Sequence, residues 1–314
     1  MEYANGKDGK EMSMGRKVYE KLNDIPMGHA RGQLTKGCLV VEGGAFRGLY
    51  NQGVMDFFME NGLNFECVIG VSAGAMAGLN YASGQIGRSA RCNLEFRHDP
   101  DYIGAQAMLH AHSPLNIDFA IQPNVKLDAL DENTFYDPRR RFIAVATDCD
   151  TGKTMYFEKG KCRDILKAIK ASASMPYVSP MVDVDGHKCL DGGCSCHIPY
   201  KWAMEQGYEN IVVIKTRERG YRKKESSTSN TMALRFYKDN PEFAEKLMTM
   251  NADYNNECNV IDQLEKDGRI FVIAPSEPVT VKRVEGDMDK LGNLYWLGYN
   301  DAKRNLFVLT KYLK

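Results

Sequence analysis

A serine lies between two glycines in the stretch GVSAG, residues 70–74, where an apolar run meets a segment rich in alanine. Residues 65–70 predict a short buried strand, and residues 73–83 predict a tightly packed helix. A tight turn from a strand into a helix pushes the serine hydroxyl out of the sheet edge, where it can attack an acyl carbon. The free N–H groups at the start of such a helix favour negative charge on the reacting oxygen. This pattern predicts a nucleophile at Ser72.

A nucleophilic serine needs a base, and the residues alone leave two kinds of base open. A Ser–acid–His triad in the usual chain order would use His187 or His197, which both follow Ser72 in the sequence. The turn LDGG at residues 190–193 offers the carboxylate of Asp191 instead. Its glycines would let the backbone approach a reacting centre closely.

A second glycine-rich turn, EGGA at residues 42–45, comes earlier in the chain and also ends an apolar run. Residues 37–42 predict a buried strand. Gly43 and Gly44 would let the backbone turn sharply after it and bring N–H groups close to another group. Arg47 follows three residues after the second glycine, and the residues alone leave open which group this turn approaches.

Strands and helices must alternate to position these turns, and the hydrophobic pattern predicts that they do. Residues 48–61 have apolar side chains at helical spacing between the first two strands. The order strand–helix–strand–helix is typical of a parallel sheet with helices on its faces, so we expect an α/β fold. Later elements are predicted as strands at residues 141–147, 153–158 and 210–215, a helix at residues 162–174 and a hairpin at residues 181–190.

The two ends of the chain differ in character from this central part. Residues 1–35 are polar and predict an extension that is weakly ordered or lies over the main domain. Residues 216–314 predict a mostly helical region that is structural or covers the site. Within it we expect helical structure at residues 231–268, a strand at residues 269–274 and two closing helices in residues 286–313.

Composition and charge exclude several classes of function. Lys plus Arg and Asp plus Glu both number 41, so we expect no nucleic-acid partner. No apolar run is long enough to span a bilayer, and the first residues lack the apolar core of a secretory signal. Nine cysteines scattered along a long chain fit a reducing compartment, so we expect a cytoplasmic protein.

A group of cysteines and histidines near the second candidate base raises the question of a zinc site. Cys189, Cys194, Cys196 and His197 are close in sequence, with His187 just before them. Their spacing matches no established zinc pattern. We therefore expect buried thiols here, with no metal and no cofactor.

Two basic clusters and one apolar stretch carry less specific signals. The clusters RRR at residues 139–141 and RERGYRKK at residues 217–224 predict solvated loop charge, with contact to anionic lipid headgroups as the alternative. Residues 102–125 predict an irregular helix packed on the sheet, with an acyl pocket or a lid as the alternative. A peripheral membrane contact is thus left open, and the sequence does not indicate an oligomeric state.

The motifs, taken in order, resemble those of the patatin-like phospholipases. That family has a glycine-rich oxyanion loop ending in Arg or Lys and then Gly, a G-x-S-x-G elbow, and a D-G-G or D-G-A turn. This chain has GGAFRG at residues 43–48, GVSAG at residues 70–74 and DGG at residues 191–193. Two further similar segments are ATDCDTG at residues 146–152 and ASASMPYVSP at residues 171–180.

The resemblance implies a three-layer α/β/α core with a mainly parallel sheet over residues 36–215, and a Ser–Asp dyad rather than a triad. Ser72 would be the nucleophile and Asp191 the base, with a carboxyl pKa raised by partial desolvation. The implied substrate is an acyl ester of a lipid, and the implied activity is that of a phospholipase A or esterase. A Ser–His–acid triad esterase and a non-catalytic lipid-binding protein on the same fold are the alternatives.

The resemblance also assigns the first glycine turn to the oxyanion. The amides of Gly44 and Ala45 would donate to it from the loop that begins at Gly43. Arg47 would hold this loop or lie near an anionic part of the substrate; the alternative is a surface arginine at a helix start. Ala45 stands where the family has a third glycine, and alanine tolerates a positive φ poorly. This departure bears on the geometry of the oxyanion site rather than on the presence of a donor.

Overall fold

The structure, a computed structural model, describes residues 18–121, 128–224 and 228–314. Its strands lie within two sheets, a main sheet and a small one made of β1 and β4. The strands are β1 (Gly28–His29), β2 (Thr35–Val41), β3 (Phe65–Val71), β4 (Gln85–Ile86), β5 (Arg141–Asp148), β6 (Thr154–Glu158), β7 (Val182–Val184), β8 (His187–Asp191), β9 (Ile211–Ile214) and β10 (Phe271–Ile273).

The helices pack on the main sheet or extend beyond it. They are α1 (Leu49–Glu60), α2 (Ala73–Ala82), α3 (Arg88–Phe96), α4 (Ala105–Ala111), α5 (Ile117–Ile121), α6 (Glu132–Phe135), α7 (Ile165–Ala173), α8 (Tyr200–Glu205), α9 (Thr228–Phe236), α10 (Pro241–Lys266) and α11 (Met288–Tyr312). Short 3₁₀ turns occur at Leu22–Asp24, Ala45–Gly48 and Gly192–Cys194. Within the described ranges, no helix combines the length and apolarity needed to cross a bilayer.

The main sheet has the strand order β10-β9-β2-β3-β5-β8-β7, and β6 also pairs with β5. The five strands from β10 to β5 run parallel to one another. Strands β6, β7 and β8 join with antiparallel pairing. Parallel neighbours need a crossover connection, and α1, α2 and the segments around α3 to α6 supply it between β2, β3 and β5.

Alternate side chains of the parallel strands enter two separate hydrophobic cores. In β2, Leu39 and Val41 pack with α1, α2, α7 and α11 on one face. Cys38 and Val40 pack with α8 and α10 on the other face. Strands buried on both sides must be apolar throughout, which is why β2, β3 and β9 are nearly continuous hydrophobic runs. The predicted three-layer α/β/α arrangement with a mainly parallel sheet is confirmed.

The C-terminal part is mostly helical, as predicted, but it also extends the sheet and closes with a single helix. Strand β10 pairs in parallel with β9. The prediction of two closing helices in residues 286–313 is wrong, because α11 runs unbroken over that stretch. Gly298 does not end a helix: a Cβ there would lie 2.1 Å from the carbonyl oxygen of Tyr50, so the glycine instead permits close packing of α11 on α1.

Three predictions concern segments near the limits of the described residues. Most of the predicted N-terminal extension, residues 1–17, lies outside them. The part that follows does lie over the main domain, since Tyr19 is buried and its amide donates to the carbonyl oxygen of Leu94 at 3.0 Å. The apolar stretch at residues 102–125 forms α4 and α5, and its last four residues are also outside the described part.

Candidate active site

Strand β5 brings together two residues that are 119 positions apart in the sequence. Its Val145 is level with Val71, the last residue of β3. Its next residue, Ala146, is level with Asp191, the last residue of β8. Ser72 follows Val71 directly, so the nucleophile candidate and the carboxylate candidate meet across one strand.

The two side chains are in direct contact. The Oγ of Ser72 donates a hydrogen bond to Oδ2 of Asp191 at 2.6 Å. Ser72 has φ of +56°, a conformation that a non-glycine residue adopts only when its surroundings impose it. This strained turn between β3 and α2 is the geometry that presents a serine hydroxyl above a sheet edge.

Glycines surround the pair because backbones pass too close for a side chain. A Cβ on Gly70 would lie 2.4 Å from the carbonyl oxygen of Gly74, and a Cβ on Gly74 would lie 2.5 Å from that of Val41. A Cβ on Gly192 would lie 2.2 Å from the carbonyl oxygen of Val145. Each distance is shorter than atoms tolerate, so these positions accept only glycine without a backbone shift.

The end of α7 holds both members of the pair, a role that the sequence reasoning missed. The hydroxyl of Ser172 accepts a hydrogen bond from the amide of Ser72 at 2.9 Å and donates to the carbonyl oxygen of Val145. Two residues later, the carbonyl oxygen of Ser174 accepts from the amide of Asp191 at 2.8 Å. The available signal was the segment ASASMPYVSP, which the sequence reasoning noted without assigning roles to its serines.

Burial sets the electrostatics of the carboxylate. Asp191 is 9% exposed, and burial raises its pKa above the ordinary value. Hydrogen bonds from the Ser72 hydroxyl and the Gly193 amide oppose this shift, because they stabilise the ionised form. The direction agrees with the raised pKa expected for a carboxylate acting as a base near neutral pH.

Neither histidine candidate is the hydrogen-bond partner of the serine. His187 lies in the hairpin of β7 and β8, and its Nδ1 is 2.7 Å from Oδ2 of Asp148. His197 lines the cleft beside the serine, but both ring nitrogens are buried without a hydrogen-bond partner among the described residues. Burial, with added repulsion from Lys223, lowers the pKa of His197 well below its ordinary value.

The first glycine turn lies against the nucleophile. A Cβ on Gly43 would be 3.0 Å from the Cβ of Ser72. Ala45 has φ of +50°, so the alanine adopts the left-handed conformation that the family's glycine would favour. In the part of the chain that the structure describes, the amides of Gly44 and Ala45 donate no hydrogen bond.

Two spaces open beside Ser72. One is a cleft of about 530 Å³ that also contains Asp191 and His197. The other is a smaller chamber of about 90 Å³ with a mainly apolar lining. Ser72 lines both spaces, together with Ala45, Met175 and Arg283. The chamber is further lined by Phe46, Met76, Tyr102, Ile103, Leu115 and Ile121.

Five cations line the cleft: Arg47, Arg217, Lys223, Lys224 and Arg283. The prediction that residues 217–224 are solvated loop charge is therefore wrong for Arg217 and Lys223, which are half-buried in the cleft, while Lys224 is exposed. Two other arginines of this segment form ion pairs with α10 instead: Arg219 with Glu265 and Arg222 with Asp262. The other basic cluster is paired at Arg139 with Asp137 and at Arg141 with Glu158.

The cysteines near the site belong to different parts of the core. Cys189, Cys194 and Cys196 are buried and lie in three separate hydrophobic clusters. Burial raises the pKa of each thiol. Among the described residues there is no group of three or more His, Cys, Asp or Glu side chains arranged to hold a metal ion.

Two family models match the chain. The model described as Patatin-like phospholipase matches residues 39–203, more than half of the chain. A model described as a domain of unknown function, DUF6363, matches residues 240–314. The first match contains the serine, the aspartate and the first glycine turn. The second contains Arg283 and most of the α10 side of the cleft.

Relatives and a solved structure are similar to parts of the chain. The uncharacterized protein YjjU of Escherichia coli K12 is 28% identical over 209 residues, which are 65% of this chain and 58% of that protein. An uncharacterized NTE family protein of Mycobacterium bovis, Mb1092c, is 29% identical over 168 residues, 51% of this chain and 43% of that protein. The chain thus spans about half the length of these relatives. VipD from Legionella pneumophila superposes with a TM-score of 0.48 at 13% identity, over 96% of this chain and 72% of that one.

Proposed function

Because the chain belongs to the patatin-like phospholipase family, we propose that it is a lipid acyl hydrolase that cleaves carboxylic esters through a dyad of Ser72 and Asp191. The observation that carries the proposal is the 2.6 Å hydrogen bond from the Ser72 hydroxyl to the buried carboxylate of Asp191. A carboxylate that accepts the hydrogen bond of the serine hydroxyl, beside a strained strand-to-helix turn, is suited to general-base catalysis of acyl transfer.

The reaction proceeds in two halves. Asp191 accepts the hydroxyl proton while the Ser72 oxygen bonds to the ester carbonyl carbon. The carbon–oxygen bond to the leaving alcohol then breaks, the alcohol takes the proton from Asp191, and an acyl-enzyme remains. In the second half, Asp191 accepts a proton from water as the water oxygen attacks the acyl carbon. The serine regains a proton, and the fatty acid leaves.

The amides of Gly44 and Ala45 would stabilise the oxyanion that forms in each half. They carry no other hydrogen bond among the described residues, so they are available to a ligand. The Thr216 hydroxyl holds this loop, since it donates a hydrogen bond to the carbonyl oxygen of Gly43 at 2.9 Å. Preorganised donors of this kind contribute about 3–4 kcal/mol each to the transition state in acyl-transfer enzymes.

The two spaces beside the serine fit the two sides of an ester. The apolar chamber would hold the start of the acyl chain, and the larger cleft would hold the leaving group. The cleft volume is within the range of about 300–1,000 Å³ that is usual for ligand pockets, whereas the chamber is smaller. A short acyl chain would therefore fit without movement of the chamber walls.

A triad esterase is the second candidate, and one observation favours it. His197 lines the same cleft with two unpartnered ring nitrogens, so a rearrangement could bring it to the serine. Its nearest carboxylate, Glu257, is 3.6 Å from Nδ1. The existing hydrogen bond of Ser72 to Asp191 argues for the dyad.

Covalent labelling together with hydrolysis tests the proposed function. The purified protein is treated with a fluorophosphonate probe and assayed on acyl esters of several chain lengths and headgroups. We expect the probe to label Ser72 alone and the protein to hydrolyse at least one ester. Both the label and the hydrolysis should disappear in Ser72→Ala. The matched control is Ser276→Ala, an exposed serine that should keep both signals. A folded wild-type protein that neither reacts with the probe nor hydrolyses any ester would instead be a non-catalytic lipid-binding protein.

A further inference from the structure

The leaving-group side of the cleft holds an unusual excess of positive charge. Two carboxylates, Glu42 and Asp191, line it along with the five cations, although the whole chain has equal numbers of basic and acidic residues. Asp191 is engaged by Ser72, and Glu42 accepts a hydrogen bond from the Thr216 amide at 2.5 Å. Neither carboxylate is within ion-pair distance of a cleft cation.

We propose that Lys223 and Arg283, with Arg217, form a subsite for the phosphate of an anionic leaving group, so that the enzyme prefers esters whose headgroup carries net negative charge. This inference rests on the proposed hydrolase function and adds the chemistry of the headgroup. The three residues lie outside residues 39–203, the part that matches the patatin-like family model.

Three cations of the cleft have no carboxylate partner among the residues that the structure describes. In the described ranges, no carboxylate oxygen lies within 4.0 Å of the side-chain nitrogens of Arg217, Lys223 or Arg283. This contrasts with their neighbours Arg219 and Arg222, which both form ion pairs. Guanidinium and ammonium groups held together without a counterion favour a phosphate ligand, which can accept several charge-assisted hydrogen bonds.

Two buried guanidinium nitrogens of the cleft arginines have no hydrogen-bond partner in the described part of the chain, and other contacts hold two of the cleft cations in place. The Nε atoms of Arg47 and Arg217 are buried and lack a hydrogen-bond partner among the described residues. The other side of Arg217 is fixed, since one terminal nitrogen donates to the carbonyl oxygen of Val279 at 2.5 Å and the guanidinium lies 4.5 Å from the ring centre of Tyr221. Lys223 is held over Tyr254, with 4.2 Å from Nζ to the ring centre. Arg217 and Lys223 are therefore held in place by the protein itself.

Mutual repulsion among these groups supports the same conclusion. Burial and then the charge of Arg283 lower the pKa of Lys223 to about 8. Burial, followed by the charges of Arg217 and Arg283, lowers the pKa of Arg47 to about 10. Burial and neighbouring charge thus disfavour the charged forms of Lys223 and Arg47, and an anion bound beside them would favour those forms.

The position of Arg283 fits a leaving group rather than an acyl chain. It is exposed at the mouth, and it lines both the cleft and the chamber beside Ser72. An ester whose acyl chain enters the apolar chamber would direct its alcohol part across Arg283 toward Lys223. A phosphate on that alcohol would then meet all three cations.

Matched substrates test the subsite through activity. The double variant Lys223→Gln/Arg283→Gln is compared with wild type on a 1-acylglycerol 3-phosphate and on the 1-acylglycerol with the same acyl chain. We expect kcat/KM for the phosphate substrate to fall at least tenfold, while that for the neutral substrate changes less than threefold. Lys303→Gln, which removes an exposed charge on α11, should leave both values unchanged.

Binding tests the subsite without catalysis. Glycerol 3-phosphate and inorganic phosphate are titrated calorimetrically into Ser72→Ala and into Ser72→Ala carrying the two glutamines. We expect glycerol 3-phosphate to bind Ser72→Ala and to raise its melting temperature. We expect neither effect in the variant that also carries the two glutamines. Tighter binding of glycerol 3-phosphate than of inorganic phosphate would identify a headgroup rather than free phosphate as the ligand.

The activity and binding experiments together distinguish an error in the subsite from an error in the proposed function. Binding that depends on Lys223 and Arg283, in a protein without esterase activity, would support the subsite and overturn the hydrolase proposal. Equal losses on the phosphate and neutral substrates, or binding that the glutamines do not weaken, would overturn the subsite. Inorganic phosphate binding as tightly as glycerol 3-phosphate would overturn the headgroup assignment. Neither Lys223 nor Arg283 forms an ion pair in the described ranges, so we expect the double variant to fold, and circular dichroism provides the check.

Discussion

A carboxylate can act as the base of a serine hydrolase only if its surroundings raise its proton affinity. Asp191 meets this condition because it is buried, and the hydrogen bonds from Ser72 and Gly193 only partly offset the effect. Those same bonds orient the carboxylate so that one oxygen faces the nucleophile. Burial therefore sets the proton affinity, and the hydrogen bonds set the geometry.

The pH dependence of hydrolysis follows from the direction of this shift. The base must be ionised, and burial favours its neutral form, so activity should be lost on acidification at a higher pH than an exposed aspartate would give. We expect the acid limb of kcat/KM to have an apparent pKa clearly above about 4, the ordinary value for aspartate. Circular dichroism at each pH provides the control for folding. An acid limb at or below the ordinary value would contradict the role of Asp191.

Ser172 is expected to position the nucleophile without touching the substrate. Ser172→Ala would remove the acceptor of the Ser72 amide and a donor to the carbonyl oxygen of Val145. We expect a loss of about 1–3 kcal/mol in the free energy of unfolding, measured with urea, and a lower kcat at nearly constant KM. Ser174→Ala is the control, because its hydroxyl donates to the carbonyl oxygen of Lys170 in α7 and, among the described residues, to neither Ser72 nor Asp191. Unchanged stability and kcat in Ser172→Ala would exclude this role.

At the scale of elements, the chamber wall formed by the segment just before α4, the α4–α5 connection and α5 should set the acyl-chain preference. The wall residues Ile103 and Leu115 pair through an isolated bridge and both line the chamber. They are held against the core by the stacking of Tyr102 on Phe119, with ring centres 5.0 Å apart. The chamber is small because these side chains fill it.

Leu115→Ala should therefore enlarge the chamber and favour longer acyl chains. Burial of a methylene group contributes roughly 0.8 kcal/mol, so room for about two of them would raise the ratio of kcat/KM for longer over shorter chains about tenfold. The panel is a series of p-nitrophenyl esters of increasing length. Leu109→Ala is the matched control, since Leu109 is 72% exposed on α4. An unchanged chain-length profile in Leu115→Ala would show that the acyl chain binds elsewhere.

Elements whose constraints are local could be predicted from the sequence. The strands β2, β3 and β5 and the helix α2 follow from apolar runs and glycine turns, and Ser72 is identified by its own five-residue motif. The role of Ser172 could not be predicted, because it depends on α7 ending beside β3 in space. The same is true of Lys223, whose cleft position depends on where α10 packs. The two closing helices predicted in residues 286–313 are one continuous helix, and the sequence alone does not show that Gly298 serves close packing on α1.

At the scale of the whole molecule, the C-terminal part completes the site rather than standing apart from it. Strand β10 extends the sheet, and α10 forms one side of the cleft through Leu247, Met250 and Tyr254. The carbonyl oxygen of Arg283 accepts a hydrogen bond from the amide of Phe46, within the candidate oxyanion loop. The domain boundary near residue 216 remains a prediction, although these contacts cross it.

The packing of α11 on α1 should be essential for stability. Gly298→Ala would place a methyl group 2.1 Å from the carbonyl oxygen of Tyr50. Overpacking costs about 1–3 kcal/mol, which should outweigh the gain of about 1 kcal/mol in helix propensity. We expect a lower melting temperature, measured by calorimetry. Gly220→Ala, where a Cβ would meet no atom within 4 Å, should melt like wild type, and equal melting of both variants would contradict the close contact.

The central claim is that Asp191, and not a histidine, is the base for Ser72. The most direct measurement compares kcat for Asp191→Asn and His197→Asn with wild type on one activated ester, with folding checked by circular dichroism. The account predicts a loss of at least about a thousandfold in Asp191→Asn and less than about tenfold in His197→Asn. Near-normal turnover in Asp191→Asn together with an inactive His197→Asn would contradict it and establish a triad instead.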